Sequence, residues 1–515
     1  MNETTPVDRN TGLGPVAAGL AGLLAAAVTL GVGELVAAPI DPAAAPFLVM
    51  GDTVVERTPS ALREFAIEQF GTHDKQVLFA SMAAVTAVLA VGAGLLERRR
   101  PPYGGLMVAV LGAPVCVAAL QRPNATAWFV VPTVLGVATG IATLRILLAG
   151  ASLRTTDTAE PSRRRFLVLI AGAAAVAAVS ATAGRWVGAR MRAVVADRAE
   201  FQVPEPAVPA FAPPPGTDPP IPGLTEFITD NDRFYRIDTA LRIPAVTSDE
   251  WRLRIHGMVD RELELSMDDL RERVAVEKMV TLTCVSNEVG GDLIGTAAWT
   301  GYPLADLLAA AGVRSDADML LSRSADGFTA GTPVAAVTDG RDALLAVGMN
   351  GAPLPIEHGY PARLVVPGLY GYVSATKWVV DLELTRFERA RAYWTVRGWS
   401  AYGPIKTASR IDVPRELATL APGPTAVAGV AWAQHRGIAA VEVQVDDGPW
   451  QRAELAPEYS VDTWRQWIWR WDAPTGRHTL RVRAIDGTGA VQTGVSAPPV
   501  PDGATGWHTR RVTVA

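Results

Sequence analysis

The stretch Thr281-Leu282-Thr283-Cys284-Val285-Ser286-Asn287 runs on to Ile294-Gly295 and Ala298-Trp299-Thr300-Gly301, and it holds one of only two cysteines in 515 residues. The other, Cys116, lies inside an apolar, membrane-like run. A soluble region with a single thiol forms no internal disulfide. In an oxidising space such a thiol is either buried and inert, or occupied. A cysteine in this apolar setting is, taken alone, more often a small buried hydrophobe than a ligand. Its neighbours along the chain decide between the two.

Working outward, short alternating apolar runs (Leu253-Arg254-Ile255, Arg363-Leu364-Val365-Val366) mix with helical stretches such as Pro303–Ala311, an α+β pattern. From about Pro424 the character turns all-β. Val441-Glu442-Val443-Gln444-Val445 alternates and ends in the turn signal Asp446-Asp447-Gly448. Trp467, Trp469 and Trp471 alternate as well, which predicts three indoles on the core face of one strand. Evenly spaced short strands of this kind predict an immunoglobulin-like sandwich. Ahead of these regions, nine prolines between Pro204 and Pro222 predict an extended, semi-rigid spacer.

In order along the chain, three segments strengthen the reading of Cys284. They are the cysteine stretch, His358-Gly359-Tyr360-Pro361-Ala362-Arg363, and Ser374-Ala375-Thr376-Lys377-Trp378. Together they resemble the sulfite oxidase-type family of molybdopterin-dependent oxidoreductases, over about Thr229 to the C-terminus. The resemblance implies that Cys284 is the metal ligand and that Asn287 stands nearby. It implies that His358, Arg363, Ser374, Thr376 and Lys377 hold the pterin and its phosphate. A thiolate suits a soft, highly oxidised metal, and a guanidinium forks onto phosphate oxygens. The remaining metal ligands would be two sulfurs of a single pyranopterin plus oxygens, so one protein thiol suffices.

Asn231-Asp232-Arg233-Phe234-Tyr235-Arg236 resembles the start of the same fold, which implies cofactor contacts for Tyr235 and Arg236 and an anion-contacting, catalytic place for Arg236 beside Cys284. Ala431-Trp432-Ala433-Gln434-His435-Arg436 stands where the family has a loop that can supply an arginine to the substrate pocket. The C-terminal sandwich resembles the family's dimerisation domain, which implies a homodimer. One departure concerns substrate. Sulfite oxidases carry a tyrosine two residues before Met-Asn-Gly, whereas this chain has Val347 before Met349-Asn350-Gly351. Loss of that hydroxyl removes a donor to an oxyanion.

The first third reads as membrane. Apolar stretches fall at about Leu13–Ala38, Val77–Leu96, Gly105–Leu120, Ala127–Ala149 and Phe166–Val187. Arg98–Arg100, Arg154 and Arg163–Arg165 put the N-terminus in the cytoplasm and everything after the fifth span outside. Arg145, near the end of the fourth span, is expected to snorkel to the cytoplasmic face. Ser162-Arg163-Arg164-Arg165-Phe166-Leu167 resembles a twin-arginine export signal, and it also reads as a basic cluster ahead of an ordinary span.

The expected layout is four transmembrane helices (1–150), the twin-arginine-like segment with a fifth helix (151–190) and a proline-rich linker (191–227). An α+β molybdopterin-binding domain (228–412) and an Ig-like domain (413–515) follow. With Lys+Arg 47 against Asp+Glu 52 there is no electrostatic case for nucleic acid. No histidine lies in the spans, and neither Cys-x-x-Cys-His nor His-Pro-Gly-Gly occurs, so no haem is expected. The implied activity is oxygen-atom transfer on a small oxyanion or an S- or N-oxide. Electrons would be exchanged with a separate cytochrome or quinone-linked carrier. Two other readings remain open: a membrane-anchored Ig-like adhesion protein, and a degenerate enzyme that keeps its cofactor for structure.

Overall fold

A computed structural model describes residues 14–58, 69, 74–122, 125–149, 171–172 and 188–515. The chain divides into two compact units, Met1–Arg192 and Ala193–Ala515.

In the first unit, helices α1 (Pro15–Ala37), α2 (Pro46–Arg57), α3 (Asp74–Arg99), α4 (Tyr103–Leu120) and α5 (Val131–Ala149) are described. Four helical stretches are long and apolar enough to cross a membrane: Pro15–Ala37, Lys75–Arg99, Tyr103–Leu120 and Ala127–Leu148. They match the first four expected spans. The Arg163–Arg165 run and, apart from residues 171–172, the fifth expected span lie outside the described residues. Outward faces carry large apolar side chains such as Val88 (72% exposed). Inward faces carry small residues, so α1 and α3 approach backbone to backbone. A Cβ added at Gly22 would collide with the Ala90 carbonyl, and one at Gly94 with that of Ala18.

Helix α2 falls between the first two expected spans. Its acidic residues explain it. Arg122 reaches Glu56 Oε1 at 3.0 Å, Asp52 Oδ2 at 3.4 Å and the Val49 carbonyl at 2.9 Å. Arg145, rather than serving only to snorkel, pairs at 3.7 Å with the buried Glu97, whose other oxygen accepts from Gly105 N–H at 2.8 Å.

In the second unit, after helical residues 193–200, the proline-rich stretch is extended as expected, but it packs against the rest of the unit instead of standing clear of it. Ala207 N–H donates to the Ala275 carbonyl, Val208 pairs with Val276, and the Phe211 ring stacks on Tyr459 at 4.0 Å. Phe201 and Phe227 enter the core. Extended proline-rich backbone leaves its carbonyls free to accept, and Phe211 within the run, with Phe201 and Phe227 on either side of it, supplies the apolar area that pins it down.

The α+β part has two five-stranded sheets. One runs β2 (Leu263–Ser266), β1 (Arg252–Gly257), β10 (Val379–Thr385), β5 (Met319–Ser324), β6 (Thr329–Pro333), with β1 and β10 parallel. The other contains β3 (Val276–Thr283), β4 (Ile294–Pro303), β7 (Leu344–Met349) and β8 (Ala352–Pro353), and β9 (Arg363–Val365) pairs with β7. Strand β7 reads as a continuous apolar run because both of its faces are covered.

The C-terminal part packs two sheets. The first is β11 (Ala408–Val413), β13 (Gly423–Trp432), β17 (Arg465–Ala473), β16 (Glu454–Leu455). The second is β12 (Thr419–Leu420), β19 (His508–Val514), β18 (Gly476–Asp486), β14 (Ile438–Val445), β15 (Gln451–Arg452). Trp467, Trp469 and Trp471 are buried in the core between them, as the alternation predicts. This part is stitched to β3: Thr281 N–H donates to the Asp462 carbonyl, Gln434 Nε2 to Thr283 Oγ1 at 2.9 Å, and Trp464 N–H to Thr281 Oγ1 at 2.8 Å. The strand that delivers Cys284 is thereby fixed from outside its own sheet.

Candidate active site

Cys284 is the first residue past β3. Its N–H donates to the Leu293 carbonyl at 2.9 Å and its own carbonyl accepts from Asn287 N–H, which turns the chain back into β4. Asn287 Oδ1 closes the same turn by accepting from Leu293 N–H at 2.9 Å. Asn287 therefore shapes the cysteine loop and faces a second, smaller pocket. Burial pushes the Cys284 thiol up, against hydrogen bonding by Ser286 and the charge of Lys377, which pull it down. A soft metal would take the place of that proton.

The thiol opens on a cleft that is continuous with solvent at its mouth. Tyr235, Cys284, Arg363 and Lys377 line it together. Arg363 comes from β9 and is 4% exposed. Its guanidinium lies 5.0 Å over the Trp299 ring and donates to the His358 carbonyl at 3.1 Å and the Ala375 carbonyl at 3.4 Å. Burial lowers its pKa to about 10.

Lys377 donates to the Glu357 carbonyl at 2.9 Å and lies 3.3 Å from Asp238 Oδ2. Burial lowers its pKa to about 8, and the Asp238 charge opposes that fall. Gly359 between His358 and Arg363 sits at φ 113°, with Arg363 Cβ and the Lys377 Cα within 3.1 Å of where a Cβ would stand. Only glycine permits that approach.

His358 is 2% exposed, and burial lowers its pKa to about 3, so its ring is neutral. Its Nδ1 is buried with no hydrogen-bond partner. A buried orphan of this kind marks a place for a polar group from outside the chain.

Other expected residues sit differently. Ser374, at the end of the short helix α6 (Gly371–Ser374), donates to the Tyr370 carbonyl at 3.0 Å, and Thr376 Oγ1 bonds Ser322 Oγ at 2.7 Å. Both hydroxyls are wholly buried and spent inside the protein rather than offered to an anion. Arg236 is off the cleft wall, 43% exposed, and holds Asp238 Oδ2 at 3.0 Å. Arg436 is tied to Asp486 at 3.0 Å and to the Ile405 carbonyl, within the C-terminal part. Val347 is wholly buried in β7.

Sequence reasoning missed Asp238, Asp326 and an aromatic group, Phe328, Tyr372, Trp394 and Trp399, all on the cleft wall. Asp238 stands two residues past Arg236, a spacing that could have flagged it. Burial raises the Asp326 carboxyl above its usual range. The wall also carries Tyr235, whose hydroxyl makes no hydrogen bond with the described residues. Burial pushes that phenol far above its ordinary value, so it stays protonated.

Residues 240–394 match the family described as "Oxidoreductase molybdopterin binding domain". Mitochondrial sulfite oxidase of Rattus norvegicus is 31% identical over 331 residues, covering 55% of this chain and 60% of the rat protein. The chain thus spans about three-fifths of that relative's length. "Uncharacterized oxidoreductase YuiH" of Bacillus subtilis (strain 168) is 30% identical over 154 residues, 30% of this chain and 74% of that protein. Among solved structures, the sulfane dehydrogenase SoxCD from Paracoccus pantotrophus overlays with a TM-score of 0.49 at 24% identity, covering 59% of this chain and 89% of that one.

The residues present fit a phosphorylated pterin with its metal. A buried thiol, a buried guanidinium and a buried ammonium line one cleft, and the orphaned imidazole nitrogen belongs to His358, whose carbonyl holds the guanidinium of Arg363. That donor set suits a dianionic phosphate and a soft metal, and a cluster of cations is costly to bury without such a counter-charge.

Proposed function

The chain belongs to the sulfite oxidase-type family of molybdopterin-binding oxidoreductases, and on that premise we propose that it is a membrane-anchored oxidoreductase with its catalytic part outside the cytoplasm. It transfers an oxygen atom to or from a small oxyanion or an S- or N-oxide, and it exchanges electrons with a separate carrier. The observation that carries this reading is the meeting of Cys284, Arg363 and Lys377 in one cleft, backed by the unpartnered His358 Nδ1.

Cys284 is the metal ligand in this reading. Arg363, Lys377 and His358 grip the phosphate and pterin, Arg236 acts through Asp238, and Asn287 keeps the cysteine loop in shape. Ser374 and Thr376 brace the lysine loop from within. When bound, the molybdenum cofactor supplies two-electron oxygen-atom chemistry. The chain's own residues hold the reactants, keep water out with the indoles of the cleft wall, and present the protonated Tyr235 hydroxyl to a developing oxyanion.

Anchoring is supported by the four apolar stretches and their outward valines. The outside location is supported by the basic residues Arg98–Arg100 and Arg163–Arg165 under the positive-inside rule. Residues 228–412 form the cofactor domain in this reading, and 413–515 an Ig-like domain with a dimerisation role. The C-terminal pair of packed sheets supports the Ig-like part of that reading.

A metal and pterin assay on the purified full chain tests the reading. About one molybdenum and one pterin per chain is expected, with turnover lost in Cys284→Ser. A metal-free wild-type protein, or a variant that keeps both full molybdenum content and full activity, contradicts it.

A further inference from the structure

We propose that the substrate is a neutral organic S- or N-oxide with apolar substituents, rather than a sulfite-like anion. The inference rests on the oxidoreductase reading above and narrows its substrate class. It begins with a charge count in the cleft. The cations on its wall are Arg363 and Lys377, and both are engaged, Arg363 by backbone carbonyls and the Trp299 face, Lys377 by Asp238 and the Glu357 carbonyl. A phosphorylated cofactor would add at least as much negative charge as these two groups carry.

Two carboxylates, Asp238 and Asp326, share the wall. The arginines that could have served an anionic substrate are turned elsewhere, Arg236 to Asp238 and Arg436 to Asp486. An incoming anion therefore finds no uncommitted cation among the described residues of the wall, and losing its hydration there goes uncompensated.

The rest of the wall is aromatic. Trp394 and Trp399 meet edge to face at 5.9 Å, and Tyr372 lies 5.8 Å from Trp399. The Tyr372 hydroxyl donates to the Ser400 carbonyl at 2.8 Å, which locks the loop bearing Trp399 against the cleft. Also on the wall, Ile237 is 49% exposed. Flat indole and phenol faces bind alkyl or aryl groups, while the Tyr235 hydroxyl near Cys284 suits the oxide oxygen.

The balanced reaction is sulfoxide + quinol → sulfide + quinone + water. The S–O bond breaks, and the oxygen leaves as water with two protons and two electrons from the quinol-class carrier, which is oxidised as the sulfur is reduced. In an amine oxide the N–O bond breaks in the same way.

The test uses the full-length holoenzyme, with reduced benzyl viologen as donor and methyl phenyl sulfoxide as substrate, against sulfite with ferricyanide as acceptor. The sulfoxide should show the higher kcat/KM. Trp399→Ala should raise the sulfoxide KM about tenfold with kcat changed much less. Quenching of tryptophan fluorescence by methyl phenyl sulfoxide, read without turnover, should weaken by a similar factor in that variant. Preferred turnover of sulfite, or a Trp399→Ala variant that lowers kcat with KM and quenching unchanged, overturns the inference. A wild-type protein without molybdenum would instead remove the oxidoreductase reading beneath it.

Discussion

The Lys377 ammonium lies 3.3 Å from the Asp238 carboxylate, and neither side chain is more than a tenth exposed. Burial drags the lysine to a pKa of about 8, and Asp238 keeps it from falling further. The pair keeps a buried cation charged, and under the proposed function that cation faces the cofactor's phosphate. Asp238→Asn should lower the lysine further and loosen the cofactor. Molybdenum content after dialysis should drop in the variant, and the deficit against the wild type should be larger at pH 7 than at pH 9, where the lysine has largely lost its proton in both proteins. Equal retention in both proteins at pH 7 would count against this role.

Tyr235 presents a protonated hydroxyl in the cleft beside Cys284 and Arg363. Tyr235→Phe removes the donor and keeps the ring, which stacks on Phe234 at 5.2 Å. Molybdenum content should hold while kcat falls by about 10²-fold, the usual cost of one lost oxyanion donor. Unchanged turnover in the metal-replete variant would assign the ring a packing role only.

His508 gives a pH signature away from the cleft. Its Nδ1 accepts from Ile411 N–H at 2.9 Å, and burial lowers its pKa to about 4 from an ordinary 6.5. Between these values the unfolded chain takes up a proton that the folded protein refuses. The stability is therefore full above about pH 6.5 and declines as pH falls towards 4. In His508→Gln, the decline of Tm from pH 6.5 to 4 should be shallower than in the wild type. A parallel pair of Tm curves would reject this contribution.

The contact of Gly94 with Ala18 leaves no room for a side chain. Gly94→Val should force α1 and α3 apart at a cost of about 1–3 kcal/mol, the range for overpacking. Thermal aggregation in detergent should set in at a lower temperature. An onset matching the wild type would mean that the helices close by another face.

Much of the site could be read from residue order, because Cys284, His358, Arg363 and Lys377 sit in short local patterns. The turn at Gly359 and the loop after β3 are encoded within a few residues of the groups that they position. Asp238, Asp326, Trp394 and Trp399 gave no such signal. They come from separate segments and meet only when β1, β5 and β10 assemble. Composition misled twice. Prolines predict a spacer, yet Phe211 among them and Phe201 and Phe227 on either side pack it down, and no span-length apolar run marks α2, whose acids turn inward to Arg122. The hydroxyls of Ser374 and Thr376 looked available in sequence, since nothing there shows which way a short turn points them.

The most direct measurement is molybdenum-edge X-ray absorption on the purified protein, with and without the cysteine. Three sulfur neighbours around the metal are expected for the wild type, two from the pterin and one from Cys284. Any metal retained by Cys284→Ser should show two. The same sulfur count in both proteins would mean that Cys284 does not bind the metal, and the account built on it would not stand.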